Sequence, residues 1–191
     1  MVSEPPDLDD TERARWNAVR SAIGGLAQAA LAGTLDEDGV TATMEQLRSI
    51  DVESNKFRDA LHVPEGAGTY AARLEALLRR IPDGWGRWIS CDAGWFELIV
   101  DLDAALSALD PDYRVEQVKE KFGTLRYYCT PSSEDADVWC RFDDLVRVAE
   151  DRSAETCERC GRPGRKCRSS MRWVKTLCRD CAAANGYVSP A

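Results

Sequence analysis

Two C-x2-C pairs near the C-terminus, Cys157 with Cys160 and Cys178 with Cys181, constrain this chain more than any other feature. Seventeen residues separate the pairs, a spacing typical of structural zinc sites. The reason is geometric. A C-x2-C turn holds two thiolates one tetrahedral edge apart, and Gly161 follows where the turn needs backbone freedom. Four thiolates close the shell and leave no position for water, so such a site is structural rather than catalytic. One structural zinc ion on Cys157, Cys160, Cys178 and Cys181 is therefore the predicted cofactor. Unpaired thiols or redox disulfides compete with this reading, and two pairs at zinc spacing favour the metal.

The segment between the pairs, "GRPGRKCRSSMRWVKTL", predicts a small hairpin, with Trp173 and Val174 able to cover the metal. "CRDCAAANG" predicts a helix start that ends near Gly186. A knuckle, a hairpin and a helix carrying the last two ligands point to a treble-clef-like module rather than a plain zinc ribbon. Cys167 could replace one ligand or simply lie in the hairpin, and the second is favoured. Cys91, Cys129 and Cys140 sit in apolar surroundings and are read as small core residues. The lone histidine, His62, is read as structural or surface; catalysis or metal binding that needs two histidines is excluded.

The rest of the chain predicts an α+β fold. Residues 1–9 read as a disordered tail. Residues 10–83 read as a helical segment, capped at Asp10 or Thr11, with Trp16, Val19, Ile23 and Leu26 on one face. A second helix is expected over Thr41 to Leu61 with Met44, Leu47 and Phe57 inward, and a third from about Thr69 to Ile81 with Tyr70, Leu74, Leu77, Leu78 and Ile81 on one face. Residues 84–155 read as a β-α-β-β-α core. "GRWIS" is its first strand, and Asp92 caps a helix bearing Trp95, Ile99, Leu102, Leu106 and Leu109. "YRVEQVKEKFGTLRYYCT" is a hairpin turning near Gly123; Val115 and Val118 have opposite parity, which a bulge would explain. A last helix places Val138, Phe142, Leu145 and Val148 or Ala149 inward and leads into Cys157. Residues 156–187 are the zinc module.

Charge divides the chain unevenly. The whole carries a net charge of −8. Residues 1–151 hold 16 Lys and Arg against 30 Asp and Glu, net −14; residues 152–191 hold nine against three, net +6. A basic module on an acidic body can bind phosphate backbones through Arg159, Arg162, Arg165, Lys166, Arg168, Arg172 and Lys175. Two other uses compete: the cations can offset four thiolates on a divalent ion, or dock the module onto the acidic body. The acidic surface could imitate DNA and occupy a basic protein, although ordinary solubility is by far the commoner reason for such a surface.

The N-terminus is acidic and lacks an apolar run behind a basic end, which argues against a secretory signal. "SAIGGLAQAALAGTL" is too short and too polar to span a bilayer. A soluble, cytoplasmic protein without membrane contact is expected, a compartment in which paired cysteines suggest metal before disulfide. An enzyme is not expected. The best catalytic candidate, Asp112 with Glu116 or Gln117 and Lys119, superficially matches the acid–acid–lysine set of a metal-dependent nuclease, but the Pro-Asp lies too close to the second acid. No glycine-rich phosphate loop, nucleophile elbow or HExxH helix is present.

The runs "GWGRWISCDAGWFELI", "QVKEKFGTLRYY" and "CERCGRPG" with "WVKTLCRDC" together resemble an uncharacterised family of small bacterial and phage-encoded proteins with a C-terminal zinc-binding motif. The resemblance covers about residues 75 to 185. It implies zinc on Cys157, Cys160, Cys178 and Cys181, and a small accessory protein of mobile DNA; it brings no activity. The function expected is a non-enzymatic, zinc-stabilised interaction protein with a protein partner. A nucleic-acid-binding regulator using the basic module is the second reading, and a nuclease the third.

Overall fold

A computed structural model describes residues 9–50 and 54–189; the expected tail falls almost entirely outside them. The first helix, α1 (Asp10–Ala32), is capped one residue earlier than expected. Asp9 accepts from the Glu12 backbone N–H while the Glu12 carboxylate accepts from that of Asp9, so two orphan donors are satisfied reciprocally. Gly33 then ends the helix in the left-handed conformation. The second helix begins before the expected Thr41 and stops earlier: α2 spans Glu37–Ser49 from an Asp36 cap, and a separate short helix, α3, spans Ser54–Asp59.

The expected inward faces of α1 and α2 are not buried. No described residue of either helix is buried, and Ile23 and Met44 are about half exposed. The two helices pair mainly with one another. The arm touches the body through Trp16, whose ring stacks on Phe57 at 3.4 Å. Phe57 in turn meets His62 edge-on at 4.3 Å. His62 is structural, as read: it is buried, and Nε2 bonds the Phe57 carbonyl at 2.7 Å.

Beyond the arm, the sequence periods hold. A 3-10 turn at Gly68–Tyr70 opens α4 (Ala71–Leu78), which buries Leu74, Leu77 and Leu78. Strand β1 (Ile89–Ser90) follows, then a second 3-10 turn at Ala93–Trp95 and α5 (Phe96–Leu109). Trp95, Ile99, Leu102 and Leu106 are buried along the predicted face. Asp92 occupies the predicted cap position, but its side chain makes no capping bond. Strands β2 (Arg114–Lys121) and β3 (Thr124–Thr130) form the hairpin, with the register shifting between Val115 and Gln117 where the parity changes. That bulge lets Val115 and Val118 both face the core. Strand β1 adds in parallel to β2, giving the order β1-β2-β3. Helix α6 (Ala136–Ser153) packs on β3 and α5 through Phe142 and Ala149, leaving Val148 outside.

The C-terminal module is a second small sheet and a helix. Strands β4 (Arg165–Ser169) and β5 (Val174–Leu177) pair antiparallel, α7 (Arg179–Ala184) follows, and β6 (Tyr187–Val188) returns to the other edge of β4. The protein is thus mixed α+β with a cysteine cluster at its C-terminal end. No helix among the described residues is long and apolar enough to cross a membrane.

Candidate metal centre

The four cysteines of the two pairs converge. Their sulfur atoms all lie within 4.8 Å of one another, and they are the one group of three or more potential ligands to do so among the described residues. Cys160 Sγ and Cys178 Sγ are 3.7 Å apart. A tetrahedral shell with metal–sulfur bonds of about 2.3 Å requires sulfurs about 3.8 Å apart, so this edge matches. The set is large enough for one ion and too tight for two.

Local backbone chemistry fixes each pair. In the first, Gly161 donates to the Cys157 carbonyl at 2.9 Å with φ +74, closing the knuckle in a conformation that favours glycine. In the second, Cys178 is the N-cap of α7 and Cys181 lies in its first turn, its N–H 3.5 Å from Cys178 Sγ. Arg162 reaches over both pairs, 3.5 Å from Cys160 Sγ and 3.4 Å from Cys178 Sγ, and pairs with Asp180 at 3.0 Å.

Four sulfurs this close cannot all ionise by themselves. Burial opposes the Cys160 thiolate, but the Arg162 donors outweigh it and draw the group down to about 6. The Cys181 backbone N–H lowers Cys178. Cys181 is pushed up to about 12, chiefly by the hydrogen bond with Cys178, and burial raises Cys157. A divalent cation at the centre would make thiolates of all four.

Cys167 stays out of the cluster, as expected: it is buried in β4 with Sγ 3.3 Å from the Arg165 carbonyl. The aromatic cover differs from expectation. Trp173 is two-thirds exposed, and the sulfurs are instead packed by Leu177, Ala182 and Tyr187. Cys140 also departs from the reading, lying exposed on the outer side of α6.

The module is bolted to the body by contacts around the first pair. The Gly94 N–H donates to the Glu158 carbonyl at 2.7 Å. A Cβ at Gly94 would fall on the Cys157 carbonyl oxygen and within 2.6 Å of the Cys160 nitrogen, so only glycine admits the knuckle this closely. Trp95, fully buried, donates its indole N–H to the Thr156 carbonyl at 2.8 Å, and Thr176 Oγ1 donates to the Gly123 carbonyl at 2.5 Å.

Glu158, inside the knuckle, completes the joint. It is 1% exposed, takes Lys175 Nζ on both oxygens at 2.7 and 2.6 Å, and accepts from the Asp92 N–H at 3.3 Å. Burial raises its carboxyl above the ordinary value, against the pull of Lys175. Sequence reasoning passed over Glu158, because a glutamate between two paired cysteines carries no signal that it will be buried.

The basic residues of the module therefore split. Lys175 is turned inward to Glu158 and lies 3.8 Å from Asp92, Arg159 pairs with Asp92 at 3.4 Å, and Arg162 is held by Asp180 and the sulfurs. These three dock the module or screen the thiolates, which are the two competing uses of the charge. Arg165, Lys166, Arg168 and Arg172 are exposed, and none of them pairs with a carboxylate among the described residues.

The catalytic candidates do not assemble. Glu116, Gln117 and Lys119 line one hollow beside β3, Asp112 does not, and Lys119 Nζ sits 5.4 Å above the Tyr128 ring. Compared with protein-family models, curated proteins and solved structures, the chain matches none.

Proposed function

We propose that this chain is a non-enzymatic interaction protein whose C-terminal module is closed by one structural zinc ion on Cys157, Cys160, Cys178 and Cys181, and whose unpaired cations bind an anionic partner, nucleic acid first. Zinc fits a closed set of four sulfurs with a tetrahedral edge and no open position. The order of knuckle, hairpin and ligand-bearing helix supports a treble-clef-like module. The observation that carries the binding reading is the split among the cations. Arg159, Arg162 and Lys175 are consumed internally, while Arg165, Lys166, Arg168 and Arg172 are left free on and beside β4.

Aromatic groups accompany them. Trp173 and Phe122 are each about two-thirds exposed, and the Phe122–Gly123 turn lies against Val174, the neighbour of Trp173. Phe122 and Arg172 both hold positive φ, so the backbone accepts local strain while presenting these side chains to solvent. Free cations with exposed rings suit a single strand, which offers phosphates for charge and bases for stacking.

The test is a titration of labelled single-stranded DNA, duplex DNA and RNA against the metal-loaded protein at several salt concentrations. Affinity should fall steeply with salt. Replacing Arg165, Lys166 and Arg168 with Ala should weaken binding to all sequences alike, because phosphate contacts carry no base information. Trp173→Ala should weaken single strands more than duplex. Absence of binding at low salt to all three would remove the nucleic-acid reading and leave an acidic protein as the partner. Elemental analysis finding no zinc, or full zinc occupancy in a Cys178→Ser, Cys181→Ser double variant, would remove the metal assignment.

A further inference from the structure

We infer that the hollow between the β2–β3 hairpin and α6 binds an arginine or lysine side chain of a basic segment in a partner protein, caged by Trp85, Tyr128 and Trp139 under the carboxylates of Glu116 and Asp143. This face is separate from the basic surface of the metal module, and the inference stands or falls without that reading.

The hollow encloses about 570 Å³ and is open to solvent. Its rim carries three large aromatics that a soluble surface ordinarily avoids placing together: Trp85 is 60% exposed, Tyr128 43% and Trp139 41%. One of these rings is pinned. Trp139 donates its indole N–H to the Ser133 carbonyl at 2.9 Å, which fixes its plane against the first turns of α6. Tyr128 is held in register opposite Gln117. The floor is apolar and buried, formed by Tyr127 and Phe142.

Charge decides what such a cage admits. Glu116 and Asp143 both line it, and their fields add to burial in pushing the Cys129 thiol at its wall up to about 12. With Lys119 the one base beside these two acids in the lining, the hollow is net negative, which repels phosphates and carboxylates and attracts cations. Aromatic faces reinforce the preference, since a ring quadrupole attracts a guanidinium or ammonium placed over it. The chain already makes this contact within the hollow: Lys119 lies over the Tyr128 face at 5.4 Å. Trp85 and Trp139 offer further ring surfaces in the same hollow. An amphipathic cation with an alkyl stem fits the apolar floor and acidic rim together, whereas a purely apolar ligand would strand the two carboxylates.

Nuclear magnetic resonance of the indole N–H groups tests this on the intact, metal-loaded protein. Titration with Nα-acetyl-arginine amide, which presents one guanidinium, should shift the Trp85 and Trp139 signals saturably and leave Trp95, which is buried and does not line the hollow, unmoved. N-acetyl-glutamate amide should shift neither. A fluorescein-labelled Arg-rich octapeptide should bind with an affinity at least tenfold weaker for Trp139→Ala, restored in large part by Trp139→Phe, and about threefold tighter for Lys119→Ala, which removes the resident competitor. Glu116→Gln with Asp143→Asn should abolish it, whereas neutralising Glu75 and Asp144, acids outside the hollow, should leave it within twofold. Equal losses from both pairs of acids, or no response to Trp139→Ala, would show diffuse attraction to an acidic surface and overturn the site. A saturable shift with the glutamate probe would overturn the cationic class.

Discussion

Among the described residues, twenty-one buried apolar side chains form the core of the body, Trp95, Phe96, Tyr113, Tyr127 and Phe142 among them; the matching cluster in the C-terminal module has five, and three of those are cysteines. The two regions are of the same chain and touch through Gly94, Trp95 and Gly123, yet they cohere for different reasons. The body buries enough large side chains to hold α4, α5, α6 and its sheet against one another. The module has Leu177 and Ala182 as its only buried non-cysteine apolar groups. A core that small cannot offset the entropy of ordering the segment without a cross-link, and an ion on the four clustered cysteines would supply one. Apolar volume does in one region what coordination would do in the other.

The strongest way to break this comparison is to remove the metal. Chelation, or Cys178→Ser with Cys181→Ser, should abolish order across residues 157 to about 185 while the far-ultraviolet signal of the body's helices persists. Hydrogen exchange should show it directly: amides of β4 and β5 lose protection, and those of β2, β3 and α5 keep it. Acid should act like the chelator, because protons compete with the ion for thiolates. Loss of all helical signal at once would show that the body leans on the module, and the contrast would fail.

The joint is the next target. Gly94→Ala places a methyl on the Cys157 carbonyl and against the Cys160 and Gly161 nitrogens, all backbone and unable to swing away. The cost should be about 3 kcal/mol by analogy with overpacked cores, and it should fall on the joint. The metal should still bind, with zinc stoichiometry unchanged, while the thermal transition of the body drops.

Much of this division is legible in the sequence, and the exceptions share a cause. The two C-x2-C pairs, the Trp95–Leu106 face and the bulge at Val115 are local patterns, each readable within a dozen or so residues. Arg159 was not readable because its partner, Asp92, lies more than sixty residues away in sequence, and the Glu158–Lys175 pair because it forms only when the knuckle folds against β5. Charge composition marks a basic module, but only the fold shows which cations are spoken for. Trp173 illustrates the same limit: a hairpin places it on one of two faces, and packing by Leu177 and Tyr187 chose the other for the sulfurs. The hollow beside β3 was missed because Trp85, Tyr128 and Trp139 come from three separate elements.

Alkali should distinguish the regions from the opposite side to acid. Tyr113 and Tyr127 share a hydrogen bond between their hydroxyls at 2.8 Å, and Tyr113 also donates to Asp103 at 2.6 Å. Burial raises both phenols above the ordinary value of 10.0, with Asp103 adding to the effect. A raised folded-state value means this contribution is fully present below pH 10 and is lost as pH rises further, since the unfolded chain ionises first. Each such group costs about 1.4 kcal/mol per pH unit in that window, so the body should weaken by about 2 kcal/mol between pH 10 and 11. Tyr127→Phe should flatten that slope. A slope unchanged in Tyr127→Phe would mean that other groups govern the alkaline loss.

The smallest effect is expected where neither volume nor metal holds the chain. Helices α1 and α2 bury no described side chain, and the arm they form meets the body through the stack of Trp16 on Phe57, continued by Phe57 against His62 and His62 against Trp88 at 5.8 Å. Such aromatic pairs contribute about 1 kcal/mol beyond the area they cover. Trp16→Ala should therefore cost the body about 1 kcal/mol or less, seen as a shift of a few degrees in its thermal midpoint. The arm itself should respond more, because it buries no described side chain of its own: amides of α1 should lose protection while those of α5 keep theirs. Ile23→Ser and Met44→Ser, which alter half-exposed side chains, should each stay within about 0.5 kcal/mol of the parent. A large loss from either would mean that this face of the arm is covered in solution, and that the apolar spacing read from the sequence serves a contact with a partner rather than a core.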